Sequence, residues 1–521
     1  MSNDADARHF EGDSMPAASE PPPPPRNNSV ARITRSEWAL ILVLVAIQFT
    51  HMVDFVIIMP LGGRLMRELE LSESQFAHIV SAYAWAAGIA SLLASFVMDR
   101  FDRKIVLLAM YAGFGVSTIV CGLASNYTGL LLSRTLAGGF GGTAAVALMA
   151  VIGDIFPPEK RGRASGAVMS SFAVASIAGL PAGLLLAEYF GRGAPFLALA
   201  GFSACVWLTA LLRLPPIRGH LTSHRPDRLA EFALVVSEPR YLGAFAFSFF
   251  LVLGTFTVAS FLGPYLSTIN NWSEHQLAEI YFIAGSCTLV GMTAIGWLSD
   301  RRARLPLFRI IGSIALVMAL IVTNIPARTM TSAAVLMSLF MVAAAGRMVP
   351  VQALLLGVAR PANRGAFMSV NTAVQHAATG LAPLVTGMLV KLSPAWTTVL
   401  PNAGWVGALT AVEAQPMGPG MPPMLTGAAL ASQVGVVTGF QLAGLFAATT
   451  AAISLVLAGV LHRAPQDNSP LDAAEGPSSI DARVAGDGPC QIHEAIVRPK
   501  QSEVCPVSTL PTGGTLTSRS S

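Results

Sequence analysis

The chain alternates long apolar runs with short polar seams. A helix needs about 20 apolar residues to cross a hydrocarbon core. Runs of that length lie at 37–60, 76–98, 105–125, 129–152, 165–187, 194–213, 241–267, 277–298, 305–325, 331–356, 367–390 and 436–461. The pattern predicts an all-α membrane protein with twelve transmembrane helices. Two seams are written twice. Ser95-Phe-Val-Met-Asp99-Arg100-Phe-Asp-Arg103-Lys104 follows the second run, and Gly296-Trp-Leu-Ser-Asp300-Arg301-Arg302-Ala-Arg304 follows the eighth. Pro157-Pro158-Glu159-Lys160-Arg161-Gly162 follows the fourth, and Pro361-Ala-Asn-Arg364-Gly365 the tenth. Copies about 200 positions apart predict two pseudo-symmetric six-helix bundles, an arrangement typical of transporters.

The expected organisation is a disordered cytoplasmic tail 1–36, a first bundle 37–213, a linker 214–240, a second bundle 241–462 with a long outer loop 391–435, and a disordered tail 463–521. The first tail carries Pro21 to Pro25, the last is rich in Ser, Pro, Gly and Asp, and neither offers a core. No basic segment leads into a short apolar core with a cleavage site, so no signal peptide is expected. Within the linker, Asp227 to Val236 reads as a helix on the membrane surface.

Charge fixes orientation. Arg32 and Arg35 precede the first run, and basic residues cluster after each even-numbered run: Arg100, Arg103 and Lys104, then Lys160, Arg161 and Arg163, and so on to Arg463. The opposite seams hold only Arg64, Arg67, Arg192, Arg328 and Lys391. Lys and Arg are retained on the cytoplasmic side. The expectation is a multi-pass protein of the cytoplasmic (inner) membrane with both termini cytoplasmic. Composition agrees: 12% of residues are charged, against about 25% in soluble domains. No GxxxxGK[ST] phosphate loop, HExxH zinc pattern, CxxC pair or basic-aromatic stripe is present. ATP as direct fuel, metal catalysis and nucleic-acid partners are therefore not expected. Cys121, Cys205 and Cys287 fall inside apolar runs and read as small core residues.

Over roughly residues 37–462 the chain resembles the major facilitator superfamily. Asp99, Arg100, Arg103 and Lys104 match its signature between spans two and three, with Ser95 and Asp102 in place of the two glycines. The Asp-Arg-Phe-Asp-Arg-Lys form, and the run Phe49-Thr-His51-Met-Val-Asp54-Phe-Val-Ile-Ile-Met59-Pro60-Leu-Gly62, look like bacterial drug–proton antiporters and sugar-efflux permeases. Arg134-Thr-Leu-Ala-Gly138-Gly139-Phe-Gly141-Gly142 looks like the family's intramembrane arginine motif, with Ala137 for the usual Gln. Gly179-Leu-Pro181-Ala-Gly183 is a relaxed form of the antiporter motif of span five. The resemblance implies a cytoplasmic gate in which Asp99 meets a helix N-terminus of the other half and Arg103 meets Asp154. Such contacts form in the outward-open state and break in the inward-open one. Asp300, Arg301 and Arg304 form the second copy, but Gly357 stands where the partner of Asp154 belongs, so that latch should be weaker. The alternative is that these charges serve topology alone.

Charges at membrane depth are costly and point to function. Asp54 lies inside span one and Arg134 inside span four at similar depth. Burial and a nearby guanidinium push a carboxyl's proton affinity in opposite senses. The expectation is that Asp54 carries the coupling proton and Arg134 tunes it, with a fixed ion pair as the alternative. His51, three residues before Asp54, can relay protons or be a neutral, bonded ring. Arg347 either holds an anionic or polar substrate or bonds carbonyls freed at the Pro350 bend. Asn371, Gln375 and His376 either line the cavity or join helices. Gly138, Gly139, Gly142, Gly179 and Gly183 favour close helix packing, and Pro60, Pro181 and Pro350 favour bends.

The sum is a monomeric, non-enzymatic secondary transporter, without cofactor, exporting a small organic molecule in exchange for protons. Uptake of a sugar or organic acid is the alternative direction, and a sensor on a transporter scaffold the alternative class.

Overall fold

The computed structural model describes residues 33–217, 228–270, 272–325, 329–360, 363–399 and 427–463. Most of both tails, the middle of the 391–435 loop and part of the linker lie outside the described residues.

The first half comprises α1 (Arg35–Ile57), α2 (Gly62–Glu68), α3 (Glu73–Val97), α4 (Arg103–Leu123), α5 (Tyr127–Ile155), α6 (Pro158–Met169), α7 (Ser171–Val174), α8 (Leu180–Phe190) and α9 (Ala194–Arg213). The linker helix α10 (Arg228–Ser237) follows. The second half comprises α11 (Pro239–Asn270), α12 (Glu274–Arg301), α13 (Arg304–Asn324), α14 (Met330–Gly346), α15 (Met348–Val358), α16 (Arg364–Val399) and α17 (Gly427–Arg463). No strand occurs among the described residues. Twelve stretches are long and apolar enough to span a bilayer; α6 to α8 make one and α14 with α15 another.

Polar caps set where helices begin. Thr34, Ser72, Ser273 and Thr329 each close a capping box, and Asn126 caps α5. Asp102 caps α4 through the Lys104 N–H and also accepts from the Ile217 N–H, which explains an acid where the family signature has glycine. The linker helix forms close to the expected Asp227–Val236, and its Phe232 and Val235 are buried, Phe232 against Phe96 at 4.5 Å between ring centroids.

Prolines act differently from one another. Pro60 does not bend a helix: α1 has already ended at Ile57, three residues short of the expected run, in a turn that Pro60 helps terminate. Pro181 follows a π-turn, Ala175–Gly179, in the middle of span five. Pro350 lacks the N–H that would bond Gly346, and the helix breaks at Arg347 between α14 and α15. Helix also runs past both edges of the expected 391–435 loop, to Val399 and from Gly427; Ala428, Ala429 and Ala431 favour that extension.

Consecutive spans alternate in direction, so the basic seams share one end of the molecule, here the basic end. The two halves meet along α3 with α16 and along α12 with α8 and the π-turn. These seams are built on glycine, as close approach in lipid requires. A Cβ on Gly88 would sit 2.9 Å from His376 Cβ, one on Gly387 2.8 Å from Ala77 Cβ, and one on Gly285 2.8 Å from the Ser176 carbonyl. At the far end, a Cβ on Gly62 would sit 2.7 Å from Pro264, and one on Gly263 2.6 Å from Pro60 Cα. The halves are tightly sealed at the far end.

Candidate functional site

Asp54, one turn from the end of α1, and Arg134, two turns into α5, meet inside the first half. Arg134 Nη1 donates to Asp54 Oδ2 at 2.9 Å and to the Asp54 carbonyl at 3.0 Å. Both side chains have zero exposure. The Arg134 guanidinium lies over the Tyr83 ring, 4.2 Å from its centroid, a cation–π contact from α3. The close approach of α3 and α5 follows from Gly138 and Gly142: a Cβ on Gly138 would strike the Tyr83 carbonyl, and one on Gly142 would sit 2.6 Å from the Ala87 carbonyl. Gly139 has room: a Cβ there would lie 4.0 Å from Ala90 Cβ of α3. Span five closes the other flank, with Gly179 against Val53 and Gly183 against Ile57.

The ion pair uses little of its bonding capacity. Asp54 Oδ1, Arg134 Nε and Nη2, and the Tyr83 hydroxyl are buried without a hydrogen-bond partner. A fixed structural pair in a dry interior is stable only when its remaining donors and acceptors are satisfied.

His51 does not bond to Asp54. Its ring is buried with neither nitrogen hydrogen-bonded, near Tyr83 and Phe114 at 6.1 and 6.0 Å between centroids, with Gly141 beside it. The direct relay contemplated from sequence is not formed in this structure. His376 sits across the seam between the halves, its Cβ against Gly88. Asn371 is buried with its side-chain oxygen unbonded, whereas Gln375, one turn on, is half-buried. Arg347 is 3% exposed, and its guanidinium bonds no described carbonyl of its own broken helix. It reaches α11 instead, donating through Nη2 to the Leu251 carbonyl at 3.1 Å and to the Thr255 hydroxyl.

At the basic end, Arg103 Nε stands 3.1 Å from Asp154 Oδ2, and its Nη1 donates to the Ala150 carbonyl at 3.0 Å. Both partners belong to the first half, and the contact coexists with a sealed far end. It holds the signature loop onto α5. Lys104 donates to the Leu214 carbonyl at 2.6 Å, beyond the end of α9. Arg100 is exposed, and the Asp99 side chain lies outside the described atoms. In the second half Arg304 repeats only the carbonyl bond, to Ala353 at 3.4 Å, with Gly357 offering no acid. Asp300 is exposed and Arg301 lies over Trp297 at 3.9 Å.

The far end carries a network that sequence reasoning left out. Glu274, in the first turn of α12, faces Arg64 at 3.5 Å and Arg67 at 3.8 Å, both on α2, so these pairs cross between halves. Arg64 also bonds Glu68 at 2.5 Å and the Ala187 carbonyl at 2.6 Å, and Arg192 reaches Glu68 at 3.2 Å. Burial alone would raise the Glu68 carboxyl's proton affinity, but the bonds from Arg64 and Arg192 outweigh it and hold the pKa below the usual carboxylate range. The carboxylate thus stays charged at neutral pH. Its signal was the acidic first turn of α12 opposite basic residues in another seam; nothing in either seam alone marks the pairing.

Residues 44–383 match the family profile described as Major Facilitator Superfamily. The MFS-type transporter YceJ of Bacillus subtilis (strain 168) is 26% identical over 357 residues, covering 66% of this chain and 88% of that protein. A probable sugar efflux transporter of Helicobacter pylori (strain ATCC 700392 / 26695) is 25% identical over 241 residues, covering 46% of this chain and 60% of that protein. The fold is similar to the crystal structure of a bacterial homolog of the human lysosomal transporter Spinster, inward-facing and unoccupied, with a TM-score of 0.65 and 17% identity, covering 83% of this chain and 99% of that one. Twelve apolar helices in two halves, an intramembrane carboxylate–guanidinium pair and the profile match lead to one conclusion: the chain is a transporter of the major facilitator superfamily.

Proposed function

We propose that this transporter exports a small organic molecule across the cytoplasmic membrane in exchange for protons, by alternating access, with Asp54 as the proton carrier. The observation that carries the reading is the Asp54–Arg134 pair, fully buried and bonded through one carboxylate oxygen while three of its polar atoms have no partner. When Asp54 is charged it holds Arg134 and, through the guanidinium, Tyr83 of α3. When it takes a proton the attraction is lost, and α1, α3 and α5 are free to settle differently. A titration inside the first half is thereby converted into a bias on helix packing. The π-turn of span five, wedged between Val53 of α1 and Gly285 of α12, connects that bias to the second half.

We read the basic end as cytoplasmic, because Lys and Arg are retained on that side. On this reading the tightly packed far end is the outer face. Export is favoured over uptake by the likeness to a protein named as a probable sugar efflux transporter. A sensor has no need of a titratable pair in its core. The deciding experiment is flux in reconstituted vesicles under an imposed pH gradient, expected to drive substrate against the proton flow. Movement of substrate with the protons would establish uptake, and no dependence on the gradient would remove the coupling.

The Arg64–Arg67–Glu274 contacts then act as the outer latch. Partly exposed pairs are each worth about 0–1 kcal/mol, so losing both should shift the population toward the outward-open state by up to about thirtyfold. The reporter is a cysteine at Ser267, buried beside Gly63 in the sealed seam. In a cysteine-free background, Glu274→Gln should raise its rate of labelling by an impermeant thiol reagent from outside. An unchanged rate would deny the latch.

A further inference from the structure

Three ionisable side chains are buried away from the helix ends among the described residues: Asp54, Arg134 and Arg347. Arg134 has Asp54 as counter-ion. Arg347, at the break between α14 and α15, has no carboxylate within ion-pair distance among the described residues. Its two bonds, to the Leu251 carbonyl and the Thr255 hydroxyl, are made by Nη2 to neutral acceptors. Nε is buried with no partner, and Nη1 donates to no described protein group. A guanidinium does not shed its proton, so this charge cannot be removed by titration. Neutral acceptors orient a buried cation but do not neutralise it, and a buried charge without a counter-charge is strongly unfavourable. A lysine or glutamine could brace α14 against α11 by similar bonds without presenting this forked, permanently charged group.

Depth adds a second argument. Arg347 is 358 − 347 = 11 residues from the basic end of its span, about 16 Å along the helix. Arg134 is 155 − 134 = 21 residues from the same end of α5, about 31 Å. A solute entering at the basic end therefore reaches the level of Arg347 before that of the proton site.

Resting on the exchange reading above, we propose that Arg347 is the anchor for a carboxylate on the transported molecule, so that the cargo is a small organic acid rather than a neutral sugar or a cation. The planar guanidinium with Nε and Nη1 unengaged suits a carboxylate, which can accept from two N–H groups at once. Protonation of Asp54 changes only the charge balance around Arg134, leaving Arg347 positive in both states. Anion binding and proton coupling are thus separable.

The test uses purified full-length protein in detergent and matched probes: gluconate against glucose, benzoate against benzamide, and phenethylammonium as a cation. Thermal unfolding followed by tryptophan fluorescence reads binding. The expected result is a rise in melting temperature with at least one carboxylate, and none with its neutral partner or the cation. That rise should be lost in Arg347→Gln, with apparent affinity reduced at least about tenfold in Arg347→Lys, which keeps the charge but not the fork. The Lys variant decides the matter should the Gln variant fail to fold. The proposal is overturned by equal stabilisation from a neutral partner, by a carboxylate response that survives both Arg347 variants, or by no carboxylate stabilising the wild type. Carboxylate binding without pH-driven flux would instead defeat the coupling reading and leave this one standing.

Discussion

Replacing Asp54 by Asn is expected to abolish transport driven by a pH gradient while leaving the amount of folded protein in the membrane near wild type. The amide keeps the shape of the side chain and an oxygen to accept from Arg134 Nη1, now at 2.9 Å from Oδ2. It cannot take or release a proton. A neutral group at this position is a state that the proposed cycle already visits, so the fold should tolerate it. Substrate exchange without a gradient should persist, because that partial reaction needs no net proton movement. The fixed-pair alternative predicts the opposite. Breaking a buried pair from one side costs about 3–5 kcal/mol, so stability would fall while transport per folded molecule stayed coupled. Flux normalised to folded protein, measured beside the melting temperature, separates the two. Coupled flux at wild-type rate in the Asn variant would end the proton-carrier assignment.

The glycines of α5 provide an equally large and independent effect. Gly142→Ala would place a methyl group 2.6 Å from the Ala87 carbonyl and 2.8 Å from Ala87 Cα, both backbone atoms that cannot rotate aside. Gly138→Ala meets the Tyr83 backbone in the same way. Either change must push α3 and α5 apart, and overpacking of this kind costs about 1–3 kcal/mol. It would also lift the Tyr83 ring from Arg134. Gly139→Ala is the internal control: its nearest neighbour is 4.0 Å away, and its effect should stay within about 0.5 kcal/mol. The check is thermal stability of the three variants in one detergent. Equal behaviour of all three would mean that the α3–α5 contact is not as close as described.

The parts of this molecule legible in its sequence are those decided locally. A run of about 20 apolar residues is a span whatever surrounds it, and a charge such as Asp54 or Arg134 inside one stands out because so few are tolerated. Caps such as Thr34 and Ser72 are likewise local, and they fix where α1 and α3 begin.

What was not legible depends on which distant segments meet. Arg64 and Glu274 lie in polar seams where charge is ordinary, and only the docking of the two halves makes them partners. Tyr83 is one aromatic residue in an apolar run, and nothing in that run says that Arg134 will cover it. His51 and Asp54 share a helix at a spacing that suggests contact, yet His51 lies among Tyr83, Phe114 and Gly141 instead. Arg347 beside Pro350 suggested bonds within one helix, whereas the guanidinium spans to α11. The Arg103–Asp154 pairing did follow from the resemblance.

The measurement closest to the central claim reads the far-end seam as a function of acidity, without any need to know the cargo. Spin labels on α2 and at the start of α12 report the distance across the latch in reconstituted protein. The account predicts that the distance distribution of the wild type changes between mildly acid and mildly alkaline buffer, and that Asp54→Asn fixes it in one form at both. A distribution that responds to acidity equally with and without the carboxyl at position 54 would contradict it.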